Sequence, residues 1–110
     1  MSATNEPIEI DLAAVGIQGT TIFVGYQNGA NARERAGLDL LDHGAGQVVI
    51  RIPPDSLTMT SSFFMGMFER SIGVLGPEGF ARRYRFEPRH FDDVIAQGIA
   101  DVERGLVGAL

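Results

Sequence analysis

Apolar and polar positions change period several times along this chain, and each change marks an element. Ile8-Glu9-Ile10-Asp11-Leu12 alternates apolar with acidic, the pattern of a half-buried strand. Gly16 to Gly19 supply a turn, and Thr20 to Tyr26, rich in β-branched and aromatic residues, reads as a second strand; the short link predicts an antiparallel hairpin. Asn28-Gly29-Ala30-Asn31 is turn and cap chemistry, followed by good helix formers up to a stop at His43-Gly44. Spacing puts Ala32, Ala36, Leu40 and Leu41 inward on that helix and turns Arg33, Glu34, Arg35, Asp39 and Asp42 to water. Gln47 to Ile52 is nearly continuous in apolar residues, which predicts a central strand covered on both faces and ended by Pro53-Pro54.

The strongest period belongs to Thr58 to Leu75. Phe64, Met67, Phe68, Ser71, Ile72 and Leu75 recur at three- and four-residue steps, so one face of a helix enters a core, with Ser61 or Ser62 able to cap its start. Gly66 and Gly73 share a face there, and close approach by a strand, a helix or another protomer would explain them. Gly76-Pro77-Glu78-Gly79-Phe80 stops the helix and leads into a turn or a single helical turn. Arg82 to Phe86 alternates as a last strand, with Tyr84 and Phe86 inward and Arg83 and Arg85 outward. Phe91 to Leu106 is an amphipathic helix with Phe91, Val94, Ile95, Ile99, Val102 and Leu106 on its stripe and Asp92 and Asp93 near its N-terminus. The order β-β-α-β-α-β-α predicts an α/β fold: one domain over residues 1–110, frayed at 1–6, with a mixed four-stranded sheet and about three helices.

Composition narrows the chemistry. With 110 residues and 45% hydrophobic content, the chain is long enough for one continuous core without metal or disulfide staples. It has no cysteine, which removes thiol catalysis, and its nine cations are all arginine, which removes a lysine Schiff base and a Walker phosphate loop. A net charge of −5 argues against broad binding of a phosphate backbone. No apolar run approaches the roughly 20 residues that span a bilayer. Met1 to Pro7 lacks a basic start and an apolar core, so the expected location is cytoplasmic.

Three groups of side chains remain as candidates. Ser61 and Ser62 could be nucleophiles only with His43 or His90 as base, and the Gly-x-Ser-x-Gly elbow is missing. His90, Asp92 and Asp93 make a poor chelate because adjacent helical carboxylates diverge, so no metal and no cofactor are expected. Arg82, Arg83, Arg85 and Arg89, interleaved with Tyr84 and Phe86, could contact RNA or single-stranded DNA by stacking and phosphate pairing, or pair with the acidic surface of a protein.

Val48-Val49-Ile50-Arg51-Ile52, then Thr60-Ser61-Ser62-Phe63-Phe64-Met65-Gly66-Met67-Phe68 and Leu75-Gly76, preceded by the Ala32-Arg33-Glu34-Arg35-Ala36 helix, resembles the STAS-like domain family of unknown function. More distantly it is similar to the STAS domains of anti-sigma-factor antagonists. Those are non-enzymatic proteins that bind a serine-kinase anti-sigma factor and are switched off by phosphorylation of a serine at the start of the equivalent helix. The resemblance implies a regulatory protein-binding module. Its candidate phospho-acceptor is Ser61, with Thr60, Ser62 and Phe63 beside it, and its partner is a serine-kinase or histidine-kinase-type ATPase regulator. Thr60 stands where the antagonists carry an acidic residue, and Phe63 where they carry glycine. The alternative reading is a small interaction or inhibitor protein without a phospho-switch.

Overall fold

The computed structural model of the chain describes residues 7–15, 22–53, 58–87, 89 and 91–108. Strand β1 (Ile8–Asp11) keeps the predicted alternation, with Ile10 inward. Leu12, expected to end that strand, instead opens the four-residue helix α1 (Leu12–Val15) and is fully buried. Strand β2 is only Ile22–Phe23. The predicted hairpin does not form. β1 pairs in parallel with β3 (Val48–Arg51), and β2 pairs in parallel with β4 (Thr58–Met59), a strand the sequence reading missed.

β5 (Tyr84–Glu87) lies on the other side of β3, so the mixed four-stranded sheet is replaced by a parallel β1-β3-β5 sheet and a separate β2-β4 ladder. Parallel neighbours need crossovers, and the helices between these strands provide them. Val48 and Ile50 face the core with Ile10, Tyr84 and Phe86. On the opposite face Glu9, Arg51, Arg85 and Glu87 are partly exposed and linked as ion pairs, Arg51 to Glu9 at 3.1 Å and to Glu87 at 3.0 Å. Val48, Val49 and Ile50 are all buried, so β3 is covered on both faces as expected up to Arg51, which is exposed.

Helix α2 (Tyr26–Ala36) begins earlier than expected, so Tyr26 and the presumed turn Asn28 to Asn31 are helical. The reason is packing. A Cβ on Gly29 would stand 2.1 Å from the Phe63 carbonyl oxygen, and one on Gly66 would stand 2.0 Å from that of Tyr26. The two glycines are the contact at which α2 crosses α4 (Ser61–Arg83) backbone to backbone. Gly37 then breaks the predicted long helix, taking φ 68° with its amide on the Glu34 carbonyl, and α3 (Leu38–Leu41) follows. That break rotates the stripe: Leu38 is buried and Leu40, expected inward, is 84% exposed.

In α4 the residues Phe64, Met67, Phe68, Ser71 and Ile72 are buried as their spacing predicts. Gly76 leaves helical geometry (φ 77°, ψ 158°), and Pro77 restarts a short helical segment that runs to Arg83. Arg82 and Arg83 therefore end a helix, and the strand starts at Tyr84. Phe64, Phe68, Phe80, Tyr84 and Phe86 form one aromatic cluster, its closest pair being Phe80 and Tyr84 at 4.8 Å between centroids. Helix α5 (Asp92–Gly108) lies against α4, with Gly98 seated on the Phe64 ring and Ile95 and Val102 buried. No helix among the described residues is long and apolar enough to cross a membrane.

Candidate functional site

The start of α4 is capped by Thr60, not by Ser61 or Ser62. Thr60 has extended backbone geometry, and its Oγ1 accepts the Phe63 amide at 3.3 Å, which satisfies one of the first-turn donors. Its own amide donates to the Phe23 carbonyl at 2.9 Å, fixing the cap to the end of β2. With the cap filled, Ser61 and Ser62 are free to face solvent, and both are exposed; Ser62 Oγ lies 3.1 Å from Thr60 Oγ1. Phe63 is 1% exposed and packs on Phe23 at 5.5 Å between ring centroids, so it anchors the helix start from inside and presents no surface to a partner.

Among the described residues, those of the β2-β4 ladder beside the hydroxyls carry no charge. Ile22 pairs in register with Thr58, and Ile22 and Val24 are 45% and 38% exposed. No charged residue occurs from Leu12 to Ala32 or from Ser56 to Phe68, and the β2-β4 ladder brings those two stretches together at the start of α4. Because α4 follows β3 and returns to β5, this region lies at the C-terminal end of the parallel strands, where open α/β sheets place their ligand sites.

The arginine run separates in space. Arg83 is turned inward: its Nε donates to the Gly46 carbonyl at 2.7 Å and its Nη1 to that of Leu41 at 2.9 Å, while Nη2 is buried without a partner among the described residues. Arg83 was expected outward. Its fork instead ties the loop after α3 to the end of α4. Arg82 is exposed, Arg85 pairs with Glu87 at 2.6 Å, and Arg89 pairs with Asp92 at 2.9 Å. Tyr84 and Phe86 are buried, so their rings give a nucleic-acid base nothing to stack on.

Of the histidines, His43 is exposed after α3 and has no hydrogen bond to either serine, and His90 lies outside the described residues. Among the described residues no three His, Asp or Glu side chains converge as metal ligands.

A second polar cluster was not foreseen. Arg33 and Asp42, both expected in water, are buried and bonded to each other at 2.6 Å. Arg33 also reaches Asp39 Oδ1 at 2.7 Å, the Met67 carbonyl at 3.0 Å and Ser71 Oγ at 2.8 Å. Ser71 donates to Asp42 at 2.8 Å, and the Tyr84 hydroxyl donates to its other oxygen at 2.7 Å. Every guanidinium N–H is used, which is the condition for burying that charge. Burial first, then the bond to Asp42, pushes the Tyr84 phenol above its ordinary value of 10.0. Arg33, by hydrogen bond and charge, holds the Asp39 carboxyl below its usual 3.8. The cluster joins α2, the end of α3, α4 and β5, and with every group partnered it holds the scaffold and offers no reactive atom. One sign was present in the sequence: Ser71 lay on an apolar stripe, and an inward hydroxyl requires a partner.

No family model, curated protein or solved structure matches the chain, so the resemblance to STAS-like domains rests on the residues that carry it.

Proposed function

We propose that the protein is a non-enzymatic regulatory binding module whose protein partner docks on the face formed by Ile22, Val24, Thr58, Ser61 and Ser62, and that phosphorylation of Ser61 releases it. One observation carries the reading: two exposed hydroxyls stand at a helix start inside the longest uncharged surface segments of a chain that is 21% charged. Interface cores are depleted in charge in the same way. A phosphate there adds about −1.5 to −2 charges, tolerated by the helix N-terminus but costly to a partner that must desolvate it. Thr60, and not the acceptor serine, caps the helix, so modification leaves the cap intact. The partner class suggested by the resemblance is a serine-kinase or histidine-kinase-type ATPase regulator.

The test is capture from the native host with wild type, Ser61→Ala and Ser61→Asp. The reading expects proteins held by the first two and lost, with affinity reduced about tenfold or more, by Ser61→Asp. Equal capture by all three would leave a plain interaction module without a switch. Failure of wild type to retain any protein that Val24→Glu loses would remove the docking face itself.

A further inference from the structure

β5 ends the three-stranded sheet, and among the described residues it pairs only with β3. Ile52 donates its amide to the Glu87 carbonyl at 2.8 Å, and Arg51 is the register partner of Glu87. In a parallel ladder, residues 85 and 87 therefore turn their amides and carbonyls toward β3, and residues 84 and 86 turn theirs to the open edge. The Tyr84 amide is taken by the Phe80 carbonyl, which leaves the N–H and C=O of Phe86 facing outward. A cleft of about 260 Å³ lies here, lined by all four residues of β5 with Ala81, Arg89 and Asp92. Side chains alternate across a strand, so four consecutive residues line one cleft only when it runs along the edge.

The charges on that edge are self-complementary. Arg85 and Glu87 stand two residues apart on the outer face, continuing a row in which Asp11, Arg51 and Glu87 already alternate in sign. A twofold antiparallel pairing that keeps outer side chains on the outer face can centre on Arg85 or on Phe86. Centring on Arg85 sets two guanidiniums directly opposite each other, which is destabilising. Centring on Phe86 sets Arg85 opposite the partner's Glu87 twice, and makes Phe86 and the partner's Phe86 the hydrogen-bonded pair, which suits amides and carbonyls that face the edge and have no partner among the described residues.

We infer that β5 is a self-pairing edge: a second copy of this chain adds to it antiparallel, in the register that places Phe86 beside the partner's Phe86, and joins the two sheets into one. This surface is independent of the docking face at the start of α4.

The chain has no cysteine, so introduced ones report the register without background. Arg85→Cys and Glu87→Cys are made separately in the full chain, at positions exposed or only partly buried. In the inferred register, residue 85 of one copy and residue 87 of the other are about 4.5 Å apart at Cα, within reach of a disulfide; like positions are diagonal and about 7–8 Å apart. Under mild oxidation the mixture of the two variants is expected to cross-link, and each variant alone is not. Wild type should sediment as a dimer whose dissociation constant rises at least tenfold in Arg85→Glu. Cross-linking of Arg85→Cys by itself, equal cross-linking in all three samples, or a wild type that sediments as a monomer and accepts only a foreign extended peptide at this edge would each overturn the inference.

Discussion

Arg33 and Asp42 carry opposite charges into the interior and are matched donor for acceptor. Removing one partner strands the other. Asp42→Ala is expected to lower unfolding free energy by about 3–5 kcal/mol, whereas Ser71→Ala, which deletes a link in the same cluster, should cost about 1–3 kcal/mol. Because both touch Arg33, their effects in the double variant should fall short of the sum, measurable by urea unfolding of all four forms. Tyr84 adds a pH signature. Its raised phenol means that the folded state favours the protonated form, so its contribution is complete below the ordinary value of 10.0 and drains away as pH rises beyond it. Wild type should lose stability above pH 10 more steeply than Tyr84→Phe; identical slopes would contradict the assigned bond. On the acid side the lowered carboxyls of Asp39 and Glu9 act oppositely, contributing above their ordinary values of 3.8 and 4.5 and losing that contribution as pH falls below them.

At the scale of elements, the α2 and α4 crossing is the contact that most constrains the fold. Gly66→Ala would drive a methyl into the Tyr26 carbonyl and should cost about 1–3 kcal/mol or more. Gly73, on the same helix with open space around it and helical geometry, should gain about 0.4–1 kcal/mol from Gly73→Ala. The shift of thermal midpoint in opposite directions checks both. The sequence paired these glycines because seven residues separate them, but only the structure shows which one meets a backbone. The central helix, its Gly76 break and the burial of Tyr84 and Phe86 were legible because apolar spacing over many residues is a strong local signal. The hairpin was not: strand partners are chosen by contacts far along the chain, and Leu12 is drawn into the core as the first residue of α1. Nor was the cap, since Thr60, Ser61 and Ser62 have nearly equal capping chemistry and the bond from Thr60 to Phe23 decides among them. Arg33 escaped notice because charged residues are seldom fully buried unless paired, and its pair lies nine positions away beyond the Gly37 break.

For the whole molecule, charge is divided between faces. The outer face of the β1-β3-β5 sheet carries Glu9, Arg51, Arg85 and Glu87 in a bonded row, while among the described residues the β2-β4 ladder carries no charge. The buried cluster of Arg33, Asp42, Ser71 and Tyr84 fixes the helices between these two surfaces, so the proposed switch at the exposed hydroxyls would act on recognition without loosening the core. Arg82 lies in the last turn of α4, at the opposite end of that helix from Ser61, and is exposed, which makes it a suitable remote control. The decisive measurement is a binding titration of the protein captured by wild type against wild type, Ser61→Asp and Arg82→Glu, with unfolding midpoints recorded alongside. Weakening of about tenfold or more in Ser61→Asp alone, at unchanged stability, is the predicted result; equal affinity for all three, or an equal loss in Arg82→Glu, would contradict it.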